Sequence, residues 1–310
     1  MITQRITISA IDNIIGKNFS VLDKGFIRVI DYMGGDSAIV QAARVSYGDG
    51  TKESRQDEGL INYLIKNKHT SPFEMCEIKL HIKLPIFVAR QWIRHRTANV
   101  NEVSARYSVL PNDFYIPSYE NISTQSKNNK QGRGDILSTE DAKKIAEILT
   151  NDANHCYNNY KNMIDGNIPS TDNNIENLQE DNSNGIAREL ARMNLTLNFY
   201  TEWYWKTDLH NLLHFLNLRL HPHAQYEIRE YAKVILDIVE KWCPMSSNAF
   251  KKHILNSVNI SSVAKDLLKL ISKHGTESTW FKDFNNNLDK NLSEINISKR
   301  EYNEILSIIL

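Results

Sequence analysis

Hydrophobic and polar residues alternate in some stretches of the chain and recur at helical spacing in others. Within residues 74–84, apolar residues occupy every second position from Ile78 to Leu84, and polar or charged residues lie between them. This alternation predicts a strand with one buried face and one solvent-exposed face. The β-branched and aromatic run over 24–34 ends at a Gly-Gly turn and predicts another strand. Helical spacing predicts helices over 36–46 and 58–65, and a third that starts at Pro85 and reaches the arginines after it.

The second half of the chain continues the same division. We predict a short helix over 186–192 and a strand over 195–205. Two long stretches at helical period follow, over 208–220 and 223–242, and a proline comes directly after them. The remaining residues, 245–310, contain short amphipathic stretches and no recognisable chemical motif.

A polar, Asn-rich segment interrupts this pattern at about 120–185. It predicts exposed loops, with one helix inside it that begins where Ser138 and Asp141 can form a cap. We therefore expect a core over 1–244 that carries this insert, followed by a C-terminal helical extension over 245–310.

Composition and charge narrow the class of protein. The 37 Lys and Arg residues are balanced by 37 Asp and Glu, which argues against the broad basic surface of a general nucleic-acid binder. Three separated cysteines, Cys76, Cys156 and Cys243, offer neither a disulfide framework nor a CxxC motif. No apolar run reaches the length of about 18 residues that a membrane span requires. We expect a cytoplasmic protein without a membrane anchor.

The densest group of polar side chains lies over 94–107. It contains three guanidiniums, an imidazole, an amide, a carboxylate and a hydroxyl, from Arg94, Arg96, Arg106, His95, Asn101, Glu102 and Ser104. Arginine grips phosphate through paired N–H groups and stays charged when buried, so the group suits a small phosphorylated ligand. The alternative is a solvated basic helix end, although such a surface would not need Glu102 and Ser104. Gln91 precedes the group by one helical turn and is expected to share its face.

Two smaller groups could also carry chemistry. His69, Ser71 and Glu74 form either a catalytic loop or an ordinary surface turn. His210 and His214 are one helical turn apart, as metal-binding pairs are, and His221 or His223 could add a third ligand. Asn211 stands where a zinc-peptidase helix has its catalytic Glu, which weakens a zinc hydrolase hypothesis.

The P-loop, nucleophile-elbow and Rossmann motifs are absent from the sequence. It contains no GxxxxGK[ST] or GxSxG pattern, and no GxGxxG follows a predicted strand. Gly132 and Gly134 form a lone GxG within the polar insert. Neither a P-loop nor a Rossmann fold is therefore indicated.

With these groups assembled, the chain closely resembles the flavin-dependent thymidylate synthases (the ThyX family). Their signature RHRxxxxNxxSxR is matched in full over 94–106. The segments QAARVSYG, HTSPFE, PIFVARQWIRHR and DLHNLLHFLNLRLHPHAQYEIR also resemble the family and occur in the same order. The resemblance covers about 25–244, apart from the insert.

The resemblance implies an α/β (α+β) fold with a mixed sheet and flanking helices, and a homotetramer whose active sites are shared between subunits. It implies methylation of dUMP to dTMP, with methylenetetrahydrofolate as carbon donor and with electrons passing from NADPH through FAD. The residues it places around dUMP are Gln91, Arg94, Glu102, Ser104, Arg106, Arg192 and Arg219. Those it places around FAD are Ser71, Arg94, His95, Arg96, Glu102, His210 and His214. His69 would lie near the flavin ring, and no resident metal, nucleic acid or membrane is implied.

The chemistry of the residues agrees with that reaction. The uracil ring must become electron-rich at C5, and a cysteine thiolate at C6 is one route. No cysteine in this chain lies beside a histidine in a motif that suggests a thiolate nucleophile. A cation held against the ring could instead stabilise the developing negative charge, and Arg219 is our candidate. We assign Arg219, His69 and Ser104 to the catalytic centre. A non-catalytic nucleotide- or RNA-binding module built on the arginines remains the third hypothesis, beside the synthase and the zinc hydrolase.

Overall fold

The computed structural model describes residues 5–45, 57–127, 132–167 and 185–309. The chain divides into two compact units, Met1–Leu255 and Asn256–Leu310. The strands are β1 (Asn18–Val21), β2 (Gly25–Met33), β3 (Glu77–Pro85), β4 (Asn99–Glu102), β5 (Ser123–Gln125), β6 (Arg133–Ile136) and β7 (Tyr200–Asp208). The helices of the first unit are α1 (Ser9–Asp12), α2 (Asp36–Val45), α3 (Asp57–Lys66), α4 (Ser71–Glu74), α5 (Ile86–Trp92), α6 (Thr139–Asp165), α7 (Arg188–Ala191), α8 (Leu209–Arg219), α9 (Tyr226–Trp242) and α10 (Pro244–Phe250), and a π-helical turn (Lys251–Leu255) follows them.

The main sheet has the strand order β1-β2-β3-β7-β4, and each of its neighbouring pairs is antiparallel. The predicted α+β class is confirmed, but the expected mixed sheet is wrong for these pairs. The alternation in β3 explains why, because strands with one apolar and one polar face are typical of antiparallel sheets covered on one side. Ile78, Leu80 and Ile82 are buried, whereas Lys79 and His81 on the other face are partly exposed.

Apolar side chains from α8 and α9 cover the inner face of the sheet. Trp92 at the end of α5 is fully buried at the centre of this core. Its ring stacks on Phe215 of α8 at 4.5 Å and meets Trp205 of β7 edge-on at 5.4 Å. The aromatic core therefore fixes the end of α5 against both β7 and α8.

Helix α5 is shorter than its sequence pattern predicts. Pro85 stands before the first turn instead of within it, and the helix ends at Trp92. Arg94 and His95 then donate their backbone N–H groups to the carbonyls three residues earlier, at 3.3 and 3.0 Å, which tightens the chain into a turn. The arginine group therefore lies in a loop and in the exposed strand β4, not on a helix.

The polar insert contains more structure than the predicted loops. Helix α6 begins where expected, since the Ser138 hydroxyl accepts the Asp141 N–H at 3.2 Å, and it ends at Gly166, which adopts a φ of 78°. Strands β5 and β6 form an antiparallel pair that was not predicted. The polar residues 128–131 and 168–184 lie outside the described residues.

The first unit continues past Pro244, where the sequence predicted the end of the core. Ala249 and Phe250 of α10 are fully buried in the main core. The buried Asp36 carboxylate accepts the backbone N–H groups of Met245 and Ser246 at 2.8 and 3.0 Å and the Ser246 hydroxyl at 2.6 Å. Helix α10 is thus held to α2 by a carboxylate at its N-terminus.

The second unit consists of helices α11 (Ser262–His274), α12 (Thr279–Asn286), α13 (Leu288–Glu294) and α14 (Lys299–Ile309). They pack around an apolar core of their own, formed by Ala264, Leu267, Ile271, Leu292, Ile297, Tyr302 and Ile305. A serine directly precedes the first residue of α11, α12 and α14 and caps each helix. The Ser261 hydroxyl, for example, accepts the Ala264 N–H at 3.1 Å. The extension is therefore helical, as predicted.

The two possible boundaries predict different truncation products. A chain ending at Leu255 should fold with a melting temperature close to that of the full protein, because it keeps α10. A chain ending at Pro244 loses Phe250, whose removal alone should cost about 3–5 kcal/mol, and leaves Asp36 without its partners. Thermal melts of both products, followed by circular dichroism, test this prediction. Equal melting temperatures would show that α10 is not part of the core.

Candidate functional site

The loop after α5 and the second half of α8 enclose a cleft of about 410 Å³. The N-terminus of α8 is fixed by Asp208, whose carboxylate accepts the Asn211 N–H at 2.9 Å. Leu212, Phe215 and Leu216 bury one side of this helix and turn the opposite side toward the loop. The cleft is lined by Arg94, His95, Arg96, Thr97, Trp205, Thr207, Asn211, His214, Leu218 and Arg219.

His95 and Arg219 are joined directly across this cleft. The Arg219 Nε donates to His95 Nε2 at 3.0 Å. The His95 ring also packs on Phe215 at 4.9 Å and lies 6.0 Å from the ring of His214. Burial, with smaller contributions from the charges of Arg219 and His214, lowers the pKa of His95 to about 4. The imidazole is therefore neutral near pH 7, which allows Nε2 to accept the hydrogen bond.

This hydrogen bond orients the guanidinium of Arg219. Burial lowers the pKa of Arg219, but a guanidinium stays protonated in proteins, so it keeps its charge. Its Nε is occupied by His95, and within the described residues neither Nη atom has a hydrogen-bond partner. Arg219 thus offers a fixed cation with two terminal amino groups free for a ligand.

The cleft carries positive charge that no lining carboxylate offsets. Arg94 and Arg96 are exposed beside it, and neither forms an ion pair with any residue that the structure describes. Unpaired guanidiniums in a partly enclosed space bind phosphate or diphosphate oxygens well. The cleft therefore fits the anionic part of a nucleotide or of a flavin dinucleotide.

A second group of predicted residues surrounds the turn after β4. Ser104 accepts the Arg106 N–H on its hydroxyl at 3.3 Å. The Arg106 Nε pairs with Glu189 of α7 at 3.1 Å, and the Arg192 Nε donates to the Glu189 carbonyl at 3.2 Å. Ser104, Arg106 and Arg192 are therefore brought into one region, although none of them lines the first cleft.

Arg188 belongs to this second group but was not predicted. Its Nη1 donates to the Tyr107 carbonyl at 3.1 Å, so it braces the turn that carries Ser104 and Arg106. The available signal was its position four residues before Arg192, which places both on one face of the helix predicted over 186–192.

Glu102 does not line the first cleft with Arg94 and Arg96. Its carboxylate accepts the Thr201 hydroxyl at 2.6 Å, and it lines a second cleft of about 390 Å³. His81, Lys83, Asn101 and Tyr204 share that cleft, which includes residues on the polar face of the sheet. Within one chain, Glu102 and Arg94 therefore line different clefts, although the family resemblance assigns both residues to a common site.

The remaining predicted residues lie on neighbouring elements and outside the lining of the first cleft. His69 is exposed and stacks on Tyr63 at 5.8 Å, and Ser71 begins α4, which packs against α8. His210 lies in the first turn of α8. Gln91 is half-buried and donates its Nε2 to Oε1 of Gln225, a contact that the sequence did not predict.

The alternative chemistries receive no geometric support within the described residues. They contain no group of three His, Cys, Asp or Glu side chains placed to hold a metal ion. Cys76 and Cys243 are fully buried, and burial raises the pKa of the Cys76 thiol to about 12 and that of Cys243 well above its usual range. No helix in the described part of the chain is both long and apolar enough to cross a bilayer.

The fold and site together define an α+β protein whose cationic cleft suits a phosphorylated ligand. The family model described as thymidylate synthase complementing protein matches residues 28–245. A flavin-dependent thymidylate synthase from Rickettsia conorii is 59% identical over 268 residues, which cover 86% of this chain and 89% of that one. The chain belongs to this family, the flavin-dependent thymidylate synthases, and the resemblance inferred from the signature is confirmed.

Other relatives extend the comparison. The flavin-dependent thymidylate synthase of Wolbachia pipientis wMel is 52% identical over 307 residues, 99% of this chain and 97% of that one. The segment beyond Pro244, where the sequence resemblance ended, therefore has a counterpart in that protein. The crystal structure of a UMP/dUMP methylase, PolB from Streptomyces cacaoi bound with 5-Br dUMP, superposes with a TM-score of 0.63 at 29% identity and covers 76% of this chain and 97% of its own.

The pKa of His95 predicts a pH dependence of stability. An unfolded histidine has a pKa of about 6.5, so between that pH and about 4 the unfolded chain binds more protons than the folded one. The free energy of unfolding should therefore fall as the pH is lowered through this window. His95→Gln retains an acceptor for Arg219 but does not titrate, so its loss should be smaller. Urea unfolding of both proteins at pH 7 and pH 4.5 tests this, and equal losses would contradict it.

Proposed function

We propose that this chain catalyses the reductive methylation of dUMP to dTMP, with methylenetetrahydrofolate as the carbon donor and NADPH as the source of electrons through FAD. The observation that carries the proposal is the pairing of His95 with Arg219 beside Arg94 and Arg96, because it builds a charged cleft out of the family signature. The names of the relatives support the same reaction.

The first cleft is our candidate for part of the FAD site. Arg94 and Arg96 would hold the diphosphate, and the imidazoles of His95 and His214 offer flat surfaces beside it. Ser71, Glu102 and His210 complete the proposed FAD set, and His69 would lie near the ring. When bound, the flavin supplies the hydride, while the protein supplies position and charge.

The dUMP site needs residues from more than one region of the chain. Arg94, Arg106 and Arg192 would hold the phosphate, while Gln91, Glu102, Ser104 and Arg219 would contact the rest of the nucleotide. Arg94 and Glu102 line different clefts in one chain. We infer that neighbouring subunits complete each site, in line with the homotetramer implied by the family resemblance.

Arg219 is our candidate for activating the uracil ring. A cation against N3 and O4 would stabilise negative charge as C5 becomes nucleophilic, without covalent attachment to the protein. The raised pKa values of Cys76 and Cys243 weigh against a thiolate nucleophile from those two residues. His95 is a positioning residue in this scheme, because its neutral ring orients Arg219 without adding a second charge.

A visible spectrum and a turnover assay test the proposed function together. The purified protein should show flavin absorption, lose it on anaerobic reduction with NADPH, and form dTMP when dUMP and methylenetetrahydrofolate are added. A colourless protein that neither takes up FAD nor makes dTMP would overturn the proposal. Salt-sensitive binding of long RNA without dUMP turnover would instead favour the nucleotide-binding module.

Replacing Arg219 tests its role at the ring. Arg219→Ala should lower kcat by roughly 10²–10³-fold, the usual effect of removing one group that stabilises developing charge, while FAD remains bound. Arg219→Lys should recover part of the rate because it restores the charge without the guanidinium geometry. Arg300→Ala, at a site whose side chain is 82% exposed in the second unit, is the matched control. Near-normal turnover by Arg219→Ala would remove this residue from the mechanism.

A further inference from the structure

Glu227, the second residue of α9, carries a buried carboxylate that is connected to Gln91 through Gln225. Glu227 is only 2% exposed and accepts three hydrogen bonds from side chains. The donors are the Tyr115 hydroxyl at 3.2 Å, Arg133 Nη2 at 2.5 Å and Gln225 Nε2 at 2.9 Å. Burial and the neighbouring Glu227 carboxylate raise the pKa of Tyr115, so the phenol keeps the proton that it donates.

The cation that neutralises Glu227 comes from the polar insert. Arg133 begins β6, pairs with Gln125 in β5, and lies over the Tyr226 ring at 5.4 Å. Its Nη1 donates to the Asn121 carbonyl at 2.9 Å, which fixes the other side of the guanidinium. The next residue, Gly134, has no room for a side chain, because a Cβ there would lie 2.7 Å from Thr124 Oγ1.

The ion pair is asymmetric in its exposure. The Glu227 side chain is 3% exposed and that of Arg133 is 37% exposed. A buried carboxylate is costly unless a cation and further donors compensate it, so Glu227 depends on Arg133 more than the reverse. The strand pair β5–β6 therefore positions Arg133 so that its guanidinium neutralises the buried Glu227 carboxylate.

A chain of hydrogen bonds connects Glu227 through Gln225 to Gln91, which belongs to the proposed nucleotide site. An ionised carboxylate can only accept, so Gln225 must turn its amino group toward Glu227. Its carbonyl oxygen then faces Gln91, and Gln91 donates its own Nε2 to that oxygen. The orientation of each amide is thus set by the one before it. The carbonyl oxygen of Gln91 is left without a hydrogen-bond partner among the described residues.

We propose that Arg133, Glu227 and Gln225 are positioning residues that fix the orientation of the Gln91 amide for substrate binding. This Glu227 relay, Arg133–Glu227–Gln225–Gln91, rests on the proposed function, in which Gln91 contacts dUMP. It determines which atoms of Gln91 remain for the nucleotide, namely the carbonyl oxygen and the second amide hydrogen. It also gives the polar insert a role in the reaction, through Arg133.

Glu227→Gln is the direct test, because an amide can either donate or accept and no longer dictates how Gln225 is turned. The KM for dUMP should rise about three- to tenfold, the worth of roughly one hydrogen bond, while kcat and the flavin spectrum change less than twofold. In a Gln91→Ala background the same substitution should leave KM unchanged, because the residue through which the relay acts is gone. An unchanged KM when Glu227→Gln is made in the otherwise wild-type protein would overturn the relay, and so would an equal rise in KM in the wild-type and Gln91→Ala backgrounds.

Arg133→Gln tests the relay if Glu227→Gln does not fold. Arg133 is at the surface, so replacing it should disturb folding less than replacing the buried Glu227. It should raise KM in the same way, and Arg133→Lys should restore most of the wild-type value by returning the charge. Arg229→Gln is the matched control, because Arg229 lies over the same Tyr226 ring at 6.0 Å but donates to the Pro222 carbonyl instead of Glu227. Arg133→Gln with a wild-type KM would overturn the relay. Wild-type protein without any dTMP formation would overturn the proposed function instead.

Discussion

The antiparallel pairing of β3 with β7 is the interaction on which the rest of the site depends. It joins Glu77 to Asp208 at one end and Pro85 to Tyr200 at the other, although these segments are far apart in the chain. Helix α8 starts where β7 ends, and β4 returns beside β7 with Asn99 opposite Lys206. The loop between α5 and β4 is therefore brought to α8, and the Thr207 hydroxyl donates to the Thr97 carbonyl at 3.0 Å.

Charge in this protein is neutral as a sum but is distributed unevenly. Arginines gather beside a cleft lined without carboxylates, while many acidic groups are engaged in pairs elsewhere, such as Glu227 with Arg133 and Asp113 with Lys24. Within the cleft, the neutral His95 ring holds Arg219 without adding repulsion between like charges. The molecule thus combines an overall balance with a local preference for anions.

Local patterns predicted most of the regular elements, and they failed where the cause was not local. The alternation in β3, the capped start of α6 and the helical period of α8 and α9 agree with the structure. The strand pair β5–β6 was missed because its polar residues resemble a loop. The end of α5 was misplaced because a turn at Ile93 breaks a helical pattern that continues into the arginines. The core boundary was set too early because Pro244 starts a helix here instead of ending the core.

The sequence by itself determined the family and the residue types at the site, since the full signature requires only residue order and spacing. It also determined which face of each strand and helix is apolar, because that follows from periodicity. Only the tertiary structure decided that Arg219 meets His95, that Glu102 lines another cleft than Arg94, and that Arg133 reaches Glu227. These pairs join residues distant in the chain, and their contacts depend on strand pairing and core packing that no local pattern encodes.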